Sequence, residues 1–325
     1  MKKMFIGILV LAPTMALFFG AVNRNKTPMS KAIKPAAVGS DNEATVSWLQ
    51  IPTICNEGWD TMPEIKFWRR IVSLDKDSST ANYYATRKLL RNFPKRTIDS
   101  LEARGKLELL REELRTEFNL PTGSRVMFTS GRKWFYNFKP VQTQIGRGMH
   151  IFDSLGVDPF YAQTVLLIES PGNNKQKSIA GAYGHFQIMS FNATKYGLRI
   201  DKYVDERENF ERSAYVSAML FKETFIPLAK RWCNELGFRV DVNALWFKLL
   251  VMHCYNAGPY GVKSAMNIVP NSYQENALIH KLWHTTAHYF PSEAQNYSQL
   301  ALACYLEFEK QLADDKVKNK LYVRR

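Results

Sequence analysis

The spacing of apolar residues predicts a mainly helical protein, with its longest helices in the second half of the chain. Apolar segments of helical length recur after about residue 144, and the segment 159–168 is apolar on almost every face, which is typical of a helix buried on all sides. These segments cover residues 150–155, 159–168, 213–228, 242–254 and 293–312. We therefore expect one helical domain over 144–310, followed by a basic tail over 311–325.

The region 48–143 is richer in aromatic and basic residues, and its apolar spacing is less regular. Short amphipathic helices are predicted over 66–73 and 82–93, and a longer one over 99–118 that ends before Pro121-Thr122-Gly123. Alternating aromatic residues and a Ser130-Gly131 turn allow a small β-hairpin within 125–138. The pattern indicates a helical N-terminal extension, and nothing in it indicates a chemical role.

The first residues have the pattern of an export signal. Met1-Lys2-Lys3 is a basic start, and residues 4–22 follow without a charge. We interpret residues 1–24 as a signal peptide or, because about 20 apolar residues can span a bilayer, as an uncleaved signal anchor. Residues 25–47 are polar and form a linker. The chain is therefore expected to be exported, either to the periplasm or to a membrane-anchored position that faces the cell wall.

The net charge of +14 predicts an anionic partner. An exported protein without a nucleic-acid-binding motif is not expected to bind nucleic acid, whereas peptidoglycan carries carboxylates on its stem peptides. A generally basic surface without a specific partner is the alternative. The four cysteines, Cys55, Cys233, Cys254 and Cys304, allow three pairings, and no Cys/His spacing typical of zinc occurs. We predict neither a disulfide nor a metal.

The candidate chemistry begins at Glu169, which follows the apolar segment 159–168. Apolar neighbours and the negative end of a helix both raise the pKa of a carboxyl group. A carboxyl group that stays protonated near neutral pH can donate a proton to the leaving oxygen of a glycosidic bond. Because a glutamate after an apolar helix is more often a solvated end residue, this signal alone is weak.

Two further segments strengthen the hypothesis. Residues 178–189 contain closely spaced glycines, which permit tight turns and the close approach of a ligand to the backbone. The predicted helix 242–254 is followed by Tyr255-Asn256-Ala257-Gly258-Pro259, so that a tyrosine stands at the helix end. Its hydroxyl could orient a neighbouring carboxyl group.

Residues 169–189 resemble the catalytic domain of the lytic transglycosylases, with the pattern E-S-x-x-N-x-x-x-x-S-x-A-G-A-x-G-x-x-Q-x-M. The family's Tyr-Asn-Ala-Gly element is similar to residues 255–258, and its late Ser-Glu-Thr-Arg-x-Tyr element is similar to residues 292–297. Lys195-Tyr196-Gly197-Leu198 and Val204-Asp205-Glu206-Arg207 resemble the membrane-bound type D branch. The resemblance covers about residues 144–308 and implies a lysozyme-like fold.

The resemblance also implies an activity: non-hydrolytic cleavage of the β-1,4 bond between N-acetylmuramic acid and N-acetylglucosamine, which leaves 1,6-anhydro ends. Glu169 would be the single acid and base, and no metal or cofactor is implied. Tyr255 would hydrogen-bond Glu169, and Ser178 would hold the muramyl N-acetyl group. The other residues implied to bind substrate or support the cleft are Gln187, Met189, Asn256, Glu293 and Tyr297.

The chain departs from the family pattern at Pro171-Gly172, at His185 and at Ala294-Gln295. His185 is either a packed histidine of the cleft wall or a group that titrates and modulates Glu169. Two other functions remain open. A lysozyme-type hydrolase would need a residue to position water, for which Asp201 and Asp205 are candidates, and a non-catalytic wall-binding protein would need no acid at all.

Overall fold

The computed structural model describes residues 47–169, 171 and 175–323, with side chains described as far as residue 315. The predicted signal segment 1–24 and the linker 25–47, except Ser47, lie outside the described residues. Within the described part the protein is mainly α-helical with one small antiparallel sheet, so the predicted fold class is confirmed. None of the described helices is both long and apolar enough to cross a membrane.

The first helices belong to the main core although they precede the predicted domain. They are α1 (Thr53–Asn56), a 3₁₀ turn (Trp59–Thr61) and α2 (Pro63–Ser73). α2 buries Ile65, Phe67 and Ile71 in one hydrophobic cluster with the later helices, and it packs along the last helix of the chain. Trp68 also donates a hydrogen bond to Gln299 at 3.0 Å. The N-terminal segment and the helical body therefore share one core.

A small α/β unit with its own core follows. Its elements are β1 (Ser78–Tyr83), β2 (Leu89–Pro94), α3 (Lys95–Ala103), α4 (Leu107–Glu117) and β3 (Val126–Ser130). The strands lie in the order β2-β1-β3, and both pairings are antiparallel, with Ser79 opposite both Phe93 and Ser130. Ala81, Leu114 and Val126 are at the centre of this second cluster.

The helix predicted over 82–93 is wrong, because this segment forms the end of β1, a turn and β2. Arg87 has a φ of +55°, which interrupts any helix. The helix predicted over 99–118 is divided into α3 and α4 at Gly105, whose φ of +66° few other residues adopt readily. β2 pairs with the neighbouring β1, and local spacing does not report that Asn82 and Tyr83 of β1 also pair with β3, more than 30 residues further along the chain.

The hairpin predicted within 125–138 is also wrong in its pairing. β3 pairs with β1 and not with the residues that follow Gly131. A side chain at Gly131 would lie 2.2 Å from the carbonyl oxygen of Leu74, so only glycine permits the chain to leave the sheet there. After this point Tyr136 and Phe138 enter the main core.

The helical body surrounds α6, all of whose residues after Pro159 are buried. Asp158 caps α6 by accepting a hydrogen bond from the backbone of Phe160 at 2.8 Å, and Pro159 occupies its first turn. α6 packs between α5 and the long C-terminal helix. The elements of the body are α5 (Gln142–Ser154), α6 (Pro159–Ile168), α7 (Ser190–Lys195), a 3₁₀ turn (Glu206–Glu208), α8 (Phe210–Leu220), a π turn (Phe221–Phe225), α9 (Ile226–Glu235), α10 (Leu245–Ala257), α11 (Pro259–Met266), α12 (Glu275–Leu282), α13 (Ser292–Gln295) and α14 (Tyr297–Val323).

Candidate functional site

The carboxyl group of Glu169 lies inside the protein and not on its surface. Glu169 directly follows α6 as its C-cap residue, and because α6 is buried on every face, it carries the side chain into apolar surroundings. The residue is 3% exposed. A buried carboxyl group retains its charge only if partners replace the lost water.

Among the described residues, one hydroxyl group contacts this carboxyl group. Tyr297, at the start of α14, donates a hydrogen bond from its phenolic oxygen to Oε1 of Glu169 at 2.5 Å. The other carboxyl oxygen, Oε2, is buried and has no hydrogen-bond partner among the described residues. Burial raises the pKa of Glu169 to about 7, against the lowering effect of the Tyr297 hydrogen bond. The carboxyl group therefore exchanges its proton near neutral pH.

The prediction that Tyr255 hydrogen-bonds Glu169 is wrong. The Tyr255 hydroxyl donates instead to the backbone carbonyl of Phe186, and its ring stacks on Phe221 with centroids 5.1 Å apart. The expectation rested on the family resemblance and on the position of Tyr255 near a helix end, whereas the hydroxyl group that reaches the carboxyl group is that of Tyr297 at the start of α14. Tyr255 thus connects α10 to the segment around Phe186 that precedes α7.

Three tyrosines lie near enough to Glu169 for its charge to affect their pKa, and one of them comes from the N-terminal region. Burial raises the pKa of Tyr255, Tyr297 and Tyr136, and the charge of Glu169 raises all three further. These hydroxyls consequently remain protonated donors at any pH at which Glu169 titrates. No local pattern indicated Tyr136, because it lies in an irregular segment 33 positions before Glu169.

The loop that follows the acid is held by its own polar side chains. Ser178 Oγ accepts a hydrogen bond from the backbone of Ala182 at 2.9 Å. Gln187 is buried and has a φ of +44°, and its amide donates to the carbonyl oxygens of Gln176 and Gly184, each at 2.8 Å. The glycine-containing loop, which we define as residues 175–189, is therefore braced internally by Ser178 and Gln187.

Arg207 also holds the glycine-containing loop in place. In the sequence it was noted only as part of a motif that resembles the type D branch. The guanidinium is buried and donates to the carbonyl oxygens of Gly181 and Ile188 at 2.8 and 2.9 Å. Asp205 accepts two more hydrogen bonds from it, at 2.9 and 2.6 Å. Since a planar guanidinium can satisfy all four acceptors at once, Arg207 fixes the loop to the turn before α8.

The remaining predicted residues differ in their surroundings. Met189 is half-buried where the loop enters α7, and Asn256 is half-buried near the end of α10. Glu293 is exposed in α13, where its carboxylate accepts a hydrogen bond from Ser292 at 3.1 Å. Ser170, Gly172 and Asn173 of the motif lie outside the described residues.

His185 is a packed histidine. It is buried in edge-to-face contact with Phe210, with ring centroids 5.1 Å apart. Burial, followed by the charge of Arg147, lowers its pKa to about 4. The ring is therefore neutral near pH 7, which favours the packed interpretation over a titrating modulator.

The other acidic candidates are engaged elsewhere. Asp201 is paired with Arg199 and Asp205 with Arg207. Within the described part of the chain, the one group of side chains with metal-ligand spacing consists of Glu64, His280 and His284, and it does not include Glu169. The site therefore presents one titrating carboxyl group, tyrosine hydroxyls and a braced loop.

Residues 153–277 match the family model of the transglycosylase SLT domain. The matched segment contains Glu169, the glycine-containing loop and Tyr255, and it ends before Tyr297. No curated protein and no solved structure matches the chain. The family match supports the resemblance to a lytic transglycosylase catalytic domain, and the substrate that it indicates is peptidoglycan.

Proposed function

We propose that this protein is an exported peptidoglycan lytic transglycosylase. It cleaves the bond between N-acetylmuramic acid and N-acetylglucosamine and leaves 1,6-anhydro-muramyl ends. The observation that carries the proposal is the buried carboxyl group of Glu169, with a pKa of about 7 and, as far as the described residues show, a hydrogen bond to only one of its two oxygens. Such a group can act as an acid in one step and as a base in the next.

The hydrogen bond from Tyr297 decides which oxygen carries the proton. Oε1 accepts from the tyrosine hydroxyl, so the acidic proton resides on Oε2. In the first step Oε2 protonates the glycosidic oxygen as its bond to C1 of the muramic acid breaks. For this transfer the sugar oxygen has to come within about 3 Å of Oε2, so substrate binding has to open a path to it.

In the second step the carboxylate takes the proton of the muramyl C6 hydroxyl, whose oxygen bonds to C1 and closes the anhydro ring. Glu169 is then protonated again, and no water is consumed. This chemistry needs one carboxyl group, whereas glycosidases ordinarily use two that flank the bond. In keeping with this, no second carboxylate among the described residues contributes to the pKa shift of Glu169.

The supporting residues have different roles in this proposal. Ser178 and Gln187 shape the glycine-containing loop, in addition to any contact with the N-acetyl group. Met189 and Asn256 are half-buried and would line the sugar subsites. Glu293 would support the outer cleft wall. The brace made by Arg207, within a motif similar to the type D branch, supports assignment to that branch.

The net charge of +14 suits the anionic stem peptides of peptidoglycan. The apolar segment at residues 4–22 supports export and, if it is not removed, anchoring in the membrane with the enzyme facing the wall.

Digestion of purified sacculi tests the proposal. Wild-type protein should release muropeptides with anhydro ends, as identified by mass spectrometry. Glu169→Gln should slow the release by at least about 100-fold, because it removes the acid and the base together. The matched control is Glu102→Gln, an exposed glutamate of α3, which should retain the wild-type rate.

Reducing ends in place of anhydro ends would overturn the proposal in favour of a lysozyme-type hydrolase. Undiminished digestion by Glu169→Gln would remove Glu169 from the mechanism. Binding to sacculi without digestion by the wild-type protein would indicate a non-catalytic wall-binding protein.

A further inference from the structure

A second cluster of chemically active side chains joins the N-terminal helices to the body of the protein. His280 lies in the last turn of α12, and His284 lies one turn further along the chain. Glu64 lies in the first turn of α2 and faces both imidazole rings. The mechanism proposed for Glu169 uses none of these residues.

The spacing within the cluster suits one metal ion. Nε2 of His284 is 3.2 Å from Oε1 of Glu64, and Nε2 of His280 is 3.7 Å from the same oxygen. One ligand atom from each residue lies within 4.8 Å of the others. A tetrahedral ion with ligands at about 2.0–2.2 Å holds them roughly 3.4 Å apart. Histidines four positions apart on helical backbone recur in zinc sites, because both rings then lie on one face.

The burial of Glu64 is a second, independent observation. Glu64 is 4% exposed, and its Oε2 is buried without a hydrogen-bond partner among the described residues. A buried carboxylate oxygen without a partner carries a large desolvation cost that a cation would offset. Hydrogen bonding to the histidines alone leaves this oxygen unsatisfied.

The neighbouring charges do not satisfy Glu64 either. Arg87 lies near enough for the charge of Glu64 to raise its pKa, although burial has the larger effect and lowers it. Its guanidinium donates to Asn296 at 3.0 Å and lies over the rings of Phe67 and Tyr84. No ion pair between Arg87 and Glu64 occurs within 4.0 Å in the described structure.

The two sides of the cluster are already fixed to each other. Asn276, in the first turn of α12, donates a hydrogen bond to Glu57 at 2.9 Å. Trp283, between the two histidines, packs edge-to-face on Trp59 with centroids 5.6 Å apart. An ion would therefore enter a site whose ligands need little rearrangement, which lowers the cost of binding.

We propose that Glu64, His280 and His284 bind one divalent transition-metal ion of the zinc class, which fastens α2 to α12. Two imidazoles and one carboxylate suit Zn²⁺ better than Mg²⁺ or Ca²⁺, which prefer oxygen ligands. Both histidines are exposed, so water would complete the coordination. Because the ion would bind the folded chain and not the unfolded one, it would stabilise the contact between the N-terminal segment and the body.

Zinc titration tests this proposal. The sample is the full chain, purified without a histidine tag and freed of metal with a chelator. We expect about one Zn²⁺ per chain after equilibrium dialysis and a rise in Tm of roughly 5 °C at a hundredfold excess over Kd. Mg²⁺ at the same concentration should leave Tm unchanged. His284→Gln and His280→Gln should each weaken zinc binding by at least about 10-fold, and the double variant should abolish it.

The matched control is His288→Gln, an exposed histidine outside the cluster, which should bind zinc like the wild type. Absence of zinc from the wild-type protein at about 100 µM free ion would overturn the proposal. So would stoichiometric binding that survives in the double variant. Both exchanged histidines are exposed, so these variants should fold, and circular dichroism without metal verifies this.

Discussion

Glu169→Gln has a consequence for stability that does not depend on any substrate. Glutamine has nearly the shape of the protonated acid but cannot ionise. In the wild-type protein the pKa of Glu169 is about 7, compared with an ordinary value of 4.5. A raised pKa means that the folded chain holds the proton more tightly than the unfolded chain. Between these two values the wild-type protein therefore loses stability as the pH rises, and above pH 7 the penalty is complete.

The size of this penalty follows from the shift. A rise from 4.5 to about 7 corresponds to about 3 kcal/mol, at ~1.4 kcal/mol for each tenfold change in proton affinity. Replacement by glutamine removes the penalty. The amide NH2 group of glutamine takes the position of Oε2, for which the described residues provide no acceptor. The protonated wild-type acid also has an unpaired donor at this position, so this cost is the same in both proteins. The two proteins should therefore have similar stability at pH 4.5, whereas the variant should be more stable at pH 8.5.

Urea unfolding at these two pH values measures the effect. The free energy of unfolding of Glu169→Gln, relative to wild type, should increase by about 3 kcal/mol from pH 4.5 to pH 8.5. The control variant Glu102→Gln, at an exposed site, should show no such increase. If wild type and Glu169→Gln had parallel pH dependences, within about 0.5 kcal/mol, the carboxyl group would be as well solvated as an ordinary surface acid.

Three further substitutions test other contacts of the structure. Tyr297→Phe removes a hydrogen bond that lowers the pKa of Glu169, so the basic limb of the pH–rate profile should move to higher pH. Because the carboxyl group also loses the contact that orients it, the rate at pH 7 should nevertheless fall by about 10-fold or more. Arg207→Met leaves two loop carbonyls and a carboxylate without their donor, so the free energy of unfolding measured in urea should fall by about 3–5 kcal/mol. Arg207→Lys should recover less than half of that loss, because an ammonium group cannot reproduce the planar set of donors. Gly261→Ala would place a Cβ atom 2.4 Å from the backbone oxygen of Tyr289, and thermal unfolding should show a fall in Tm of about 5 °C or more.

Predictions from local pattern succeeded where an element is stable because of its own residues. The segment 159–168 is so uniformly apolar that it has to be a buried helix, and α6 occupies the same range. The position of Glu169 at its end followed directly, and with it a carboxyl group in apolar surroundings. The closely spaced glycines likewise indicated a tight loop, and both Gly181 and Gly184 have positive φ.

Predictions failed where two distant segments decide the outcome together. Residues 82–93 have helix-like spacing, but β2 pairs with β1, and β1 is held on its other edge by the distant β3. The partner of Glu169 is Tyr297, 128 positions later, and not the nearer Tyr255. Spacing along a chain does not encode which of two tyrosines reaches a carboxyl group, because that depends on how α10 and α14 pack against α6.

The sequence by itself therefore determined the helical class, the apolar surroundings of Glu169 and the tight loop that follows it, because helix periodicity, apolar burial and glycine conformation are local properties. Only the tertiary structure decided that Tyr297 holds the acid, that Tyr136 of the N-terminal region lies near it, and that Glu64 faces two histidines from a distant helix. Each of these contacts joins residues more than 30 positions apart, and it exists only because the shared core brings their elements together.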